Sequence, residues 1–91
     1  MSLTLPNISL PANTWVEIYA ASGITVGTKI LLQNLGNTNV RLTTKATIPI
    51  AGDGFKRVAN GQQAVNEAGS TGEWVLSPIV DGEINVSEDG S

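Results

Sequence analysis

The apolar residues of the chain fall in short runs in which they recur at every second position. Val40 and Leu42 stand between polar neighbours, and Ile84 and Val86 do the same near the C-terminus. A period of two places alternate side chains on opposite faces of a β-strand. Turn-forming residues separate the runs about every 8–12 positions, and no run has the 3.6-residue apolar period of a helix. The pattern therefore predicts an all-β chain: a compact antiparallel β-sandwich, jelly-roll-like or closed as a small barrel, with seven or eight short strands.

Two predicted hairpins organise these strands. Residues 14–20 and 29–34 hold most of the large apolar side chains, and the glycine-containing loop between them predicts that the two runs pair. Residues 29–34 are apolar on both parities, which is typical of a central strand covered on both faces. Asp81 and Gly82 form the two-residue turn signal of a second hairpin, between the last two strands.

The first of these strands has two distinct faces. If residues 14–20 are extended, Val16 and Ile18 point to the core, and Trp15, Glu17 and Tyr19 point to the other side. Amphipathic aromatic rings are favoured at protein interfaces. Trp15, Glu17 and Tyr19 are therefore the first predicted partner contacts, and the alternative is that a second sheet covers this face within the same sandwich.

The N-terminal residues predict an arm or an edge strand. Leu3 and Leu5 alternate with polar residues before Pro6, which has no N–H to donate to a sheet. Such a segment completes its own sheet or adds to that of a neighbouring subunit, so Leu3 and Leu5 are further predicted partner contacts. The chain accordingly divides into an arm over residues 1–13, a β-sandwich domain over residues 14–87 and a flexible polar tail over residues 88–91.

Composition points to an assembled protein. Only 14% of the 91 residues are charged, against roughly 25% in ordinary soluble domains, so part of the surface is expected to be covered. All five basic residues precede position 58, and six of the eight acidic residues follow it. This asymmetry has two interpretations that the sequence leaves open: complementary edges that steer subunit assembly, or a scatter that folding mixes in space.

The residue types exclude most catalytic chemistry. Cysteine and histidine are absent, which removes disulfides, thiolate and histidine metal sites, and Ser-His-Asp or Cys-His nucleophiles. Asp81 and Glu83 are better explained as surface acids near a turn than as a catalytic pair. No glycine-rich nucleotide motif is present. We therefore expect no enzymatic activity, no catalytic residue, no cofactor and no metal site.

Charge and hydropathy argue against nucleic acid and membranes as partners. The pI is about 4.6 and the basic residues form no cluster in the sequence, whereas nucleic-acid binding depends on neutralising phosphates. No apolar run approaches the roughly 20 residues that span a bilayer, and the N-terminus lacks the pattern of a signal peptide. The expectation is a soluble protein without a targeting signal.

The order of several motifs resembles small virion proteins of tailed bacteriophages. The segment TWVEIYAASGITVGTKILLQNLGNTNVRL is followed by GDGFKRV, then by GEWVLSP and DGEINV, and the similarity extends over about residues 8–86. The resemblance implies a capsid decoration or stabilising protein that forms a homo-oligomer, for example a trimer, and contacts phage capsid or tail proteins. It also implies a location on the virion surface after a soluble stage in the host cytoplasm.

A tail- or fibre-associated module that binds a receptor or a carbohydrate is the alternative function. Sandwiches bind sugars by stacking them on exposed aromatic rings beside amides and acids. The residues that could form such a site are Trp15, Glu17 and Tyr19, or Trp74, together with Gln62 and Gln63. Because a core must also be filled, Trp74 is expected to be buried.

Overall fold

The computed structural model describes residues 5–50 and 53–88, which form eight strands and one short helix. Helix α1 (Ile18–Ser22) follows the second strand directly. The strands are β1 (Ile8–Leu10), β2 (Trp15–Glu17), β3 (Ile30–Asn34), β4 (Val40–Thr44), β5 (Lys56–Val58), β6 (Gln63–Val65), β7 (Glu73–Leu76) and β8 (Gly82–Glu88). This part of the chain contains no helix long and apolar enough to cross a bilayer.

The strands form two four-stranded antiparallel sheets. Sheet I has the order β1-β8-β3-β6, and sheet II has the order β2-β7-β4-β5. Four of the pairs, β4 with β5, β3 with β6, β2 with β7 and β1 with β8, are those of one long hairpin whose tip is the β4–β5 connection. Rolling this hairpin adds the pairs β3–β8 and β4–β7. The predicted antiparallel sandwich is confirmed, with the strand order of a jelly roll.

Neither of the two predicted local hairpins is present. β2 lies in sheet II and β3 in sheet I, so the apolar runs at 14–20 and 29–34 do not pair. β7 and β8 also lie in different sheets, and the turn signal at Asp81 and Gly82 leads into a crossing between them. Alternation identifies which side chains share a face of a strand, but it carries no information about the neighbouring strand.

The core lies between the two sheets and is built from inward positions of both. β3 contributes Ile30 and Leu32, while Leu31 is half-buried because it points outward. β3 is therefore internal to its sheet, but it is fully covered on one face only, which corrects the expectation of two covered faces. The buried cluster as a whole consists of Leu10, Ile18, Tyr19, Ile24, Ile30, Leu32, Val40, Leu42, Val58, Val75, Ile84 and Val86. Burying each of the larger side chains contributes about 1.5–3 kcal/mol.

Helix α1 interrupts what the alternation predicted to be a strand. The Glu17 carboxylate accepts hydrogen bonds from the N–H groups of Tyr19 (3.2 Å) and Ala20 (2.8 Å), so Glu17 is the N-cap. Gly23 ends the helix at φ 79°, a conformation that glycine adopts without steric cost, and its N–H donates to the Tyr19 carbonyl. Because successive helical residues do not alternate between faces, both Ile18 and Tyr19 enter the core.

Candidate interaction surface on sheet II

One row of side chains crosses all four strands on the outer face of sheet II. The strand register places Trp15 opposite Leu76, Leu76 opposite Arg41, and Arg41 opposite Arg57. The alternate positions of β7 and β4, among them Val75, lie in the core. Side chains on a strand alternate between faces, so the four residues of the row point away from the core.

A second row lies beside the first and adds two more aromatic rings. Trp74 is paired with Glu17 on one side and Thr43 on the other. Phe55 precedes β5, and the Arg41 guanidinium carbon lies 4.7 Å from the centroid of its ring. Three of the four aromatic residues of the chain are therefore on or beside this outer face. We call it the aromatic–arginine face, and its members are Trp15, Arg41, Phe55, Arg57, Trp74 and Leu76.

The aromatic–arginine face is ordered by contacts of its own. The Trp74 indole N–H donates to the Lys45 carbonyl at 3.0 Å, which holds the ring in one orientation. Leu76 is only 8% exposed although it points outward, because Trp15 and Arg41 flank it in the row. Both tryptophans remain half-exposed. Tryptophan and arginine are enriched among the residues that dominate binding energy at protein interfaces, so this face is suited to protein contact.

Two of the predicted contact residues, Tyr19 and Glu17, make hydrogen bonds within the fold. Tyr19 is 2% exposed, its hydroxyl donates to the Thr28 carbonyl at 2.7 Å, and the same oxygen accepts from the Asn66 amide at 2.9 Å. The prediction that Tyr19 shares an outer face with Trp15 is wrong, since the start of α1 turns it inward. Glu17 does lie beside Trp74 in the register, but its carboxylate caps α1 and also accepts from the Glu73 N–H at 3.1 Å.

The other predicted contacts differ in position. Trp15 lies on the outer face of sheet II as the alternation predicted, and its role in binding stays a prediction. Leu5 is half-buried and packs against the core, and its carbonyl accepts from the Asn85 amide at 2.9 Å. Leu3 lies outside the described residues. Trp74 was expected in the core but lies on the outer face of sheet II, opposite Glu17.

The sequence does not assign Trp74 to this face, because either parity of residues 73–76 could point to the core. Trp74 and Leu76 share one parity, and their size favours that parity as the inner face. The structure turns Val75 and Glu73 inward instead. The inward position of Glu73 depends on hydrogen bonds from Ser70 and Asn66, which are close in the sequence, and from Thr44, which the fold brings near.

Glu73 is the centre of a buried polar network at the end of the sandwich. The residue is 1% exposed, and its carboxylate accepts from the Thr44 hydroxyl (2.8 Å), the Asn66 amide (3.0 Å) and the Ser70 hydroxyl (2.7 Å). Every buried side-chain nitrogen or oxygen in the described residues has a hydrogen-bond partner. The described residues contain no group of three or more carboxylates that could hold a metal ion. The network therefore links the two sheets through hydrogen bonds.

A cleft of about 650 Å3 opens beside this network, between the edge strands β5 and β6. Its apolar wall includes Leu42, Phe55 and Val65, and its polar wall includes Thr44 and Ser70. Lys56, Glu67 and Glu73 supply the ionisable groups of its lining.

The predicted sugar site is not assembled as proposed. Ala64 is opposite the buried Leu32, so the neighbouring pair Gln63 and Gln33 lies on the outer face of sheet I. Trp15 and Trp74 lie on the outer face of sheet II, on the opposite side of the sandwich. The tryptophans and Gln63 therefore cannot contact one sugar together.

Comparison with known proteins adds no family to these observations. No protein-family model matches the chain, and no curated protein sequence matches it. The features that bear on function are therefore the side chains of the aromatic–arginine face and of the cleft.

Proposed function

We propose that the protein is a non-enzymatic bacteriophage virion structural protein, a capsid decoration or stabilising protein that assembles as an oligomer on the particle surface. The observation that carries this proposal is the aromatic–arginine face, which presents two tryptophans and two arginines on one side of a small sandwich. The resemblance of the motif order to that of small virion proteins, which is a prediction from the sequence, suggests the biological setting. A jelly roll by itself supports many functions, so the fold alone carries no weight here.

Exposed apolar side chains on the β4–β5 connection support an assembly role. Ile48 is 56% exposed, Ile50 is 66% exposed and Phe55 is 46% exposed. Contiguous exposed apolar area marks contact sites, and these three side chains belong to one connection.

Repetition makes modest contacts sufficient for this function. A buried tryptophan or arginine anchor at an interface typically contributes about 2 kcal/mol or more. When a symmetric oligomer meets a symmetric lattice, each further contact forms at a high effective concentration, so overall binding is far tighter than any single contact. A 91-residue domain can therefore bind a particle stably through a small face.

The test compares Trp15→Ala and Trp74→Ala with Val65→Ala, which removes an exposed apolar side chain from sheet I. Oligomer mass is measured by light scattering, and particle binding by co-sedimentation with purified tailed-phage capsids. We expect each tryptophan variant to lose mass or capsid binding and Val65→Ala to retain both. If wild-type protein does not bind capsids, or if both tryptophan variants behave like wild type, the proposal is refuted.

A receptor- or carbohydrate-binding module of a tail or fibre is the second candidate, and the cleft beside Glu73 favours it. Its volume lies within the roughly 300–1,000 Å3 of typical ligand pockets, and Phe55 with the hydroxyls of Thr44 and Ser70 offers a ring and polar groups for a sugar. A glycan array separates the two candidates. Specific glycan binding without capsid binding favours the module, and capsid binding without glycan binding favours decoration.

A further inference from the structure

Two arginines of the aromatic–arginine face lie directly opposite each other without an acidic partner. Arg41 on β4 and Arg57 on β5 are cross-strand partners, and both are exposed. Like charges in this position repel each other and weaken a sheet. Lys45 and Asp53 form an ion pair, but within residues 5–50 and 53–88 no carboxylate pairs with either arginine. The fold thus keeps two guanidinium groups available.

A depression of about 330 Å3 lies beside the arginine pair. Its remaining lining comes from the β3–β4 connection and from the β7–β8 connection, and consists of Thr38, Asn39, Val40, Pro78, Ile79 and Val80. Ile79 is 83% exposed and Val80 is 43% exposed. The site therefore combines two cations with an uncovered apolar rim.

The apolar rim is held in a conformation that isoleucine rarely adopts. Ile79 has φ 73°, and the Val80 N–H donates to the Pro78 carbonyl at 2.8 Å, which makes a tight γ-turn. The Ile79 N–H donates to the Asn13 side chain at 3.0 Å, and the Ser77 hydroxyl donates to the Val80 carbonyl at 2.7 Å. Strained backbone persists where its surroundings enforce it, most often at binding sites.

The opposite wall and the Arg41 side chain are also restrained before any partner binds. Asn34 is fully buried, and its amide donates to the carbonyls of Thr38 (2.8 Å) and Val58 (3.0 Å), which ties the β3–β4 connection to β5 next to Arg57. The stacking on Phe55 restrains the Arg41 guanidinium. Ordering these groups in advance reduces the entropy lost on binding.

We propose that Arg41, Arg57 and the Pro78–Val80 turn form a recognition site for an acidic–apolar segment of a partner protein. A carboxylate of the segment accepts paired hydrogen bonds from a guanidinium, which is the geometry that arginine provides and lysine does not. An adjacent apolar side chain packs against Ile79. Nucleic acid fits less well, because phosphate binding gains from many cations, whereas this chain has a net charge of −3 and an apolar rim here.

The inference rests on the proposed function for the source of the segment, which is the capsid lattice, but binding is tested without capsids. The probe is a short blocked peptide of alternating Glu and Leu, and its control replaces Glu with Gln. Nuclear magnetic resonance follows the backbone amide signals of every variant during titration, and in wild-type protein also the arginine side-chain N–H signals. The variants are Arg41→Met with Arg57→Met, and Lys56→Met as a control that removes the same kind of charge beside the other cleft.

We expect wild-type protein to bind the Glu peptide and not the Gln peptide. Each charge-assisted contact is worth about a tenfold change in affinity, so the double variant should bind about a hundredfold more weakly, and Lys56→Met should bind like wild type. Arg57→Met alone retains the Arg41–Phe55 stacking and should lose about tenfold, which covers the case in which the double variant does not fold.

Several results would overturn this inference. Equal binding of the Gln peptide, an equal loss in Lys56→Met, or binding of inorganic phosphate as strong as that of the Glu peptide would each show that no acidic–apolar segment is recognised. Capsid binding that persists when the arginine pair is removed but disappears in Trp15→Ala would remove the arginine site from the capsid contact while leaving the proposed function intact. Loss of capsid binding in the arginine double variant and also in Trp15→Ala would support both the arginine site and the proposed function.

Discussion

Replacing Ile79 with glycine should stabilise the protein, although it removes a large apolar side chain. Ile79 sits at φ 73° and is 83% exposed. A β-branched residue at positive φ places its side chain against its own backbone, and strain of this kind costs about 1–3 kcal/mol. Glycine adopts the same conformation without that cost. The γ-turn and its hydrogen bonds involve only backbone groups of residue 79, so they should persist.

Two smaller effects oppose the gain. Glycine has more conformational freedom in the unfolded chain, which costs about 0.5–1 kcal/mol. The loss of apolar burial is small, because Ile79 is mostly exposed and full burial of such a side chain contributes only about 1.5–3 kcal/mol. The net expectation for Ile79→Gly is a gain of about 1 kcal/mol, which corresponds to a rise in Tm of about 4–8 °C for a domain of this size.

Urea unfolding followed by tryptophan fluorescence measures this change, since Trp15 and Trp74 are half-buried in the folded protein and become exposed to water on unfolding. The matched control is Ile48→Gly, because Ile48 is also exposed in a connection but has no positive φ. The free energy of unfolding of the control should fall by about 0.5–1 kcal/mol, because glycine has more conformational freedom in the unfolded chain. If Ile79→Gly is destabilised as much as the control, the conformational strain assigned to Ile79 is absent and the reasoning is refuted.

Two further predictions concern charged side chains. Glu73→Leu leaves the part-buried donors of Asn66 and Ser70 without this acceptor, so we expect the free energy of unfolding in urea to fall by about 1–3 kcal/mol. A loss no larger than that of Ile48→Gly would contradict the structural role of Glu73. The hydrogen bond from Lys45 lowers the pKa of Asp53 below 3.8. A carboxyl group whose pKa is lowered by folding stabilises the protein at pH values above its unfolded-state pKa, and this stabilisation is lost as the pH falls through the folded-state pKa. The difference in stability between wild type and Asp53→Asn should therefore shrink below pH 3.8. A constant difference would contradict the contact.

Much of the sandwich follows from local pattern. Val40 and Leu42 were predicted to point inward, as were Ile84 and Val86, and all four are buried. This succeeds because strand geometry fixes which residues share a face, and the apolar face of an antiparallel sheet must be covered. Strand content and the antiparallel sandwich are therefore accessible from composition and alternation together.

The failures have specific local causes. The alternation of Val16, Ile18 and Ala20 predicts one strand over residues 14–20, but Glu17 caps a helix that begins at Ile18 and Gly23 terminates it. A cap, two alanines and a glycine were visible in the sequence and would have predicted this turn of helix. The hairpin assignments failed for another reason, since short connections permit a crossing between sheets as readily as a reversal within one.

The sequence by itself determined that the chain is all-β, which residues of the regular strands face inward, and that cysteine and histidine chemistry is absent. Only the tertiary structure decided where the outward residues meet. Trp15 pairs with Leu76, and Leu76 with Arg41, because burying the inner faces of both sheets fixes the register between strands that are distant in the chain. That register makes Trp15, one of the predicted contacts, one end of the aromatic–arginine face.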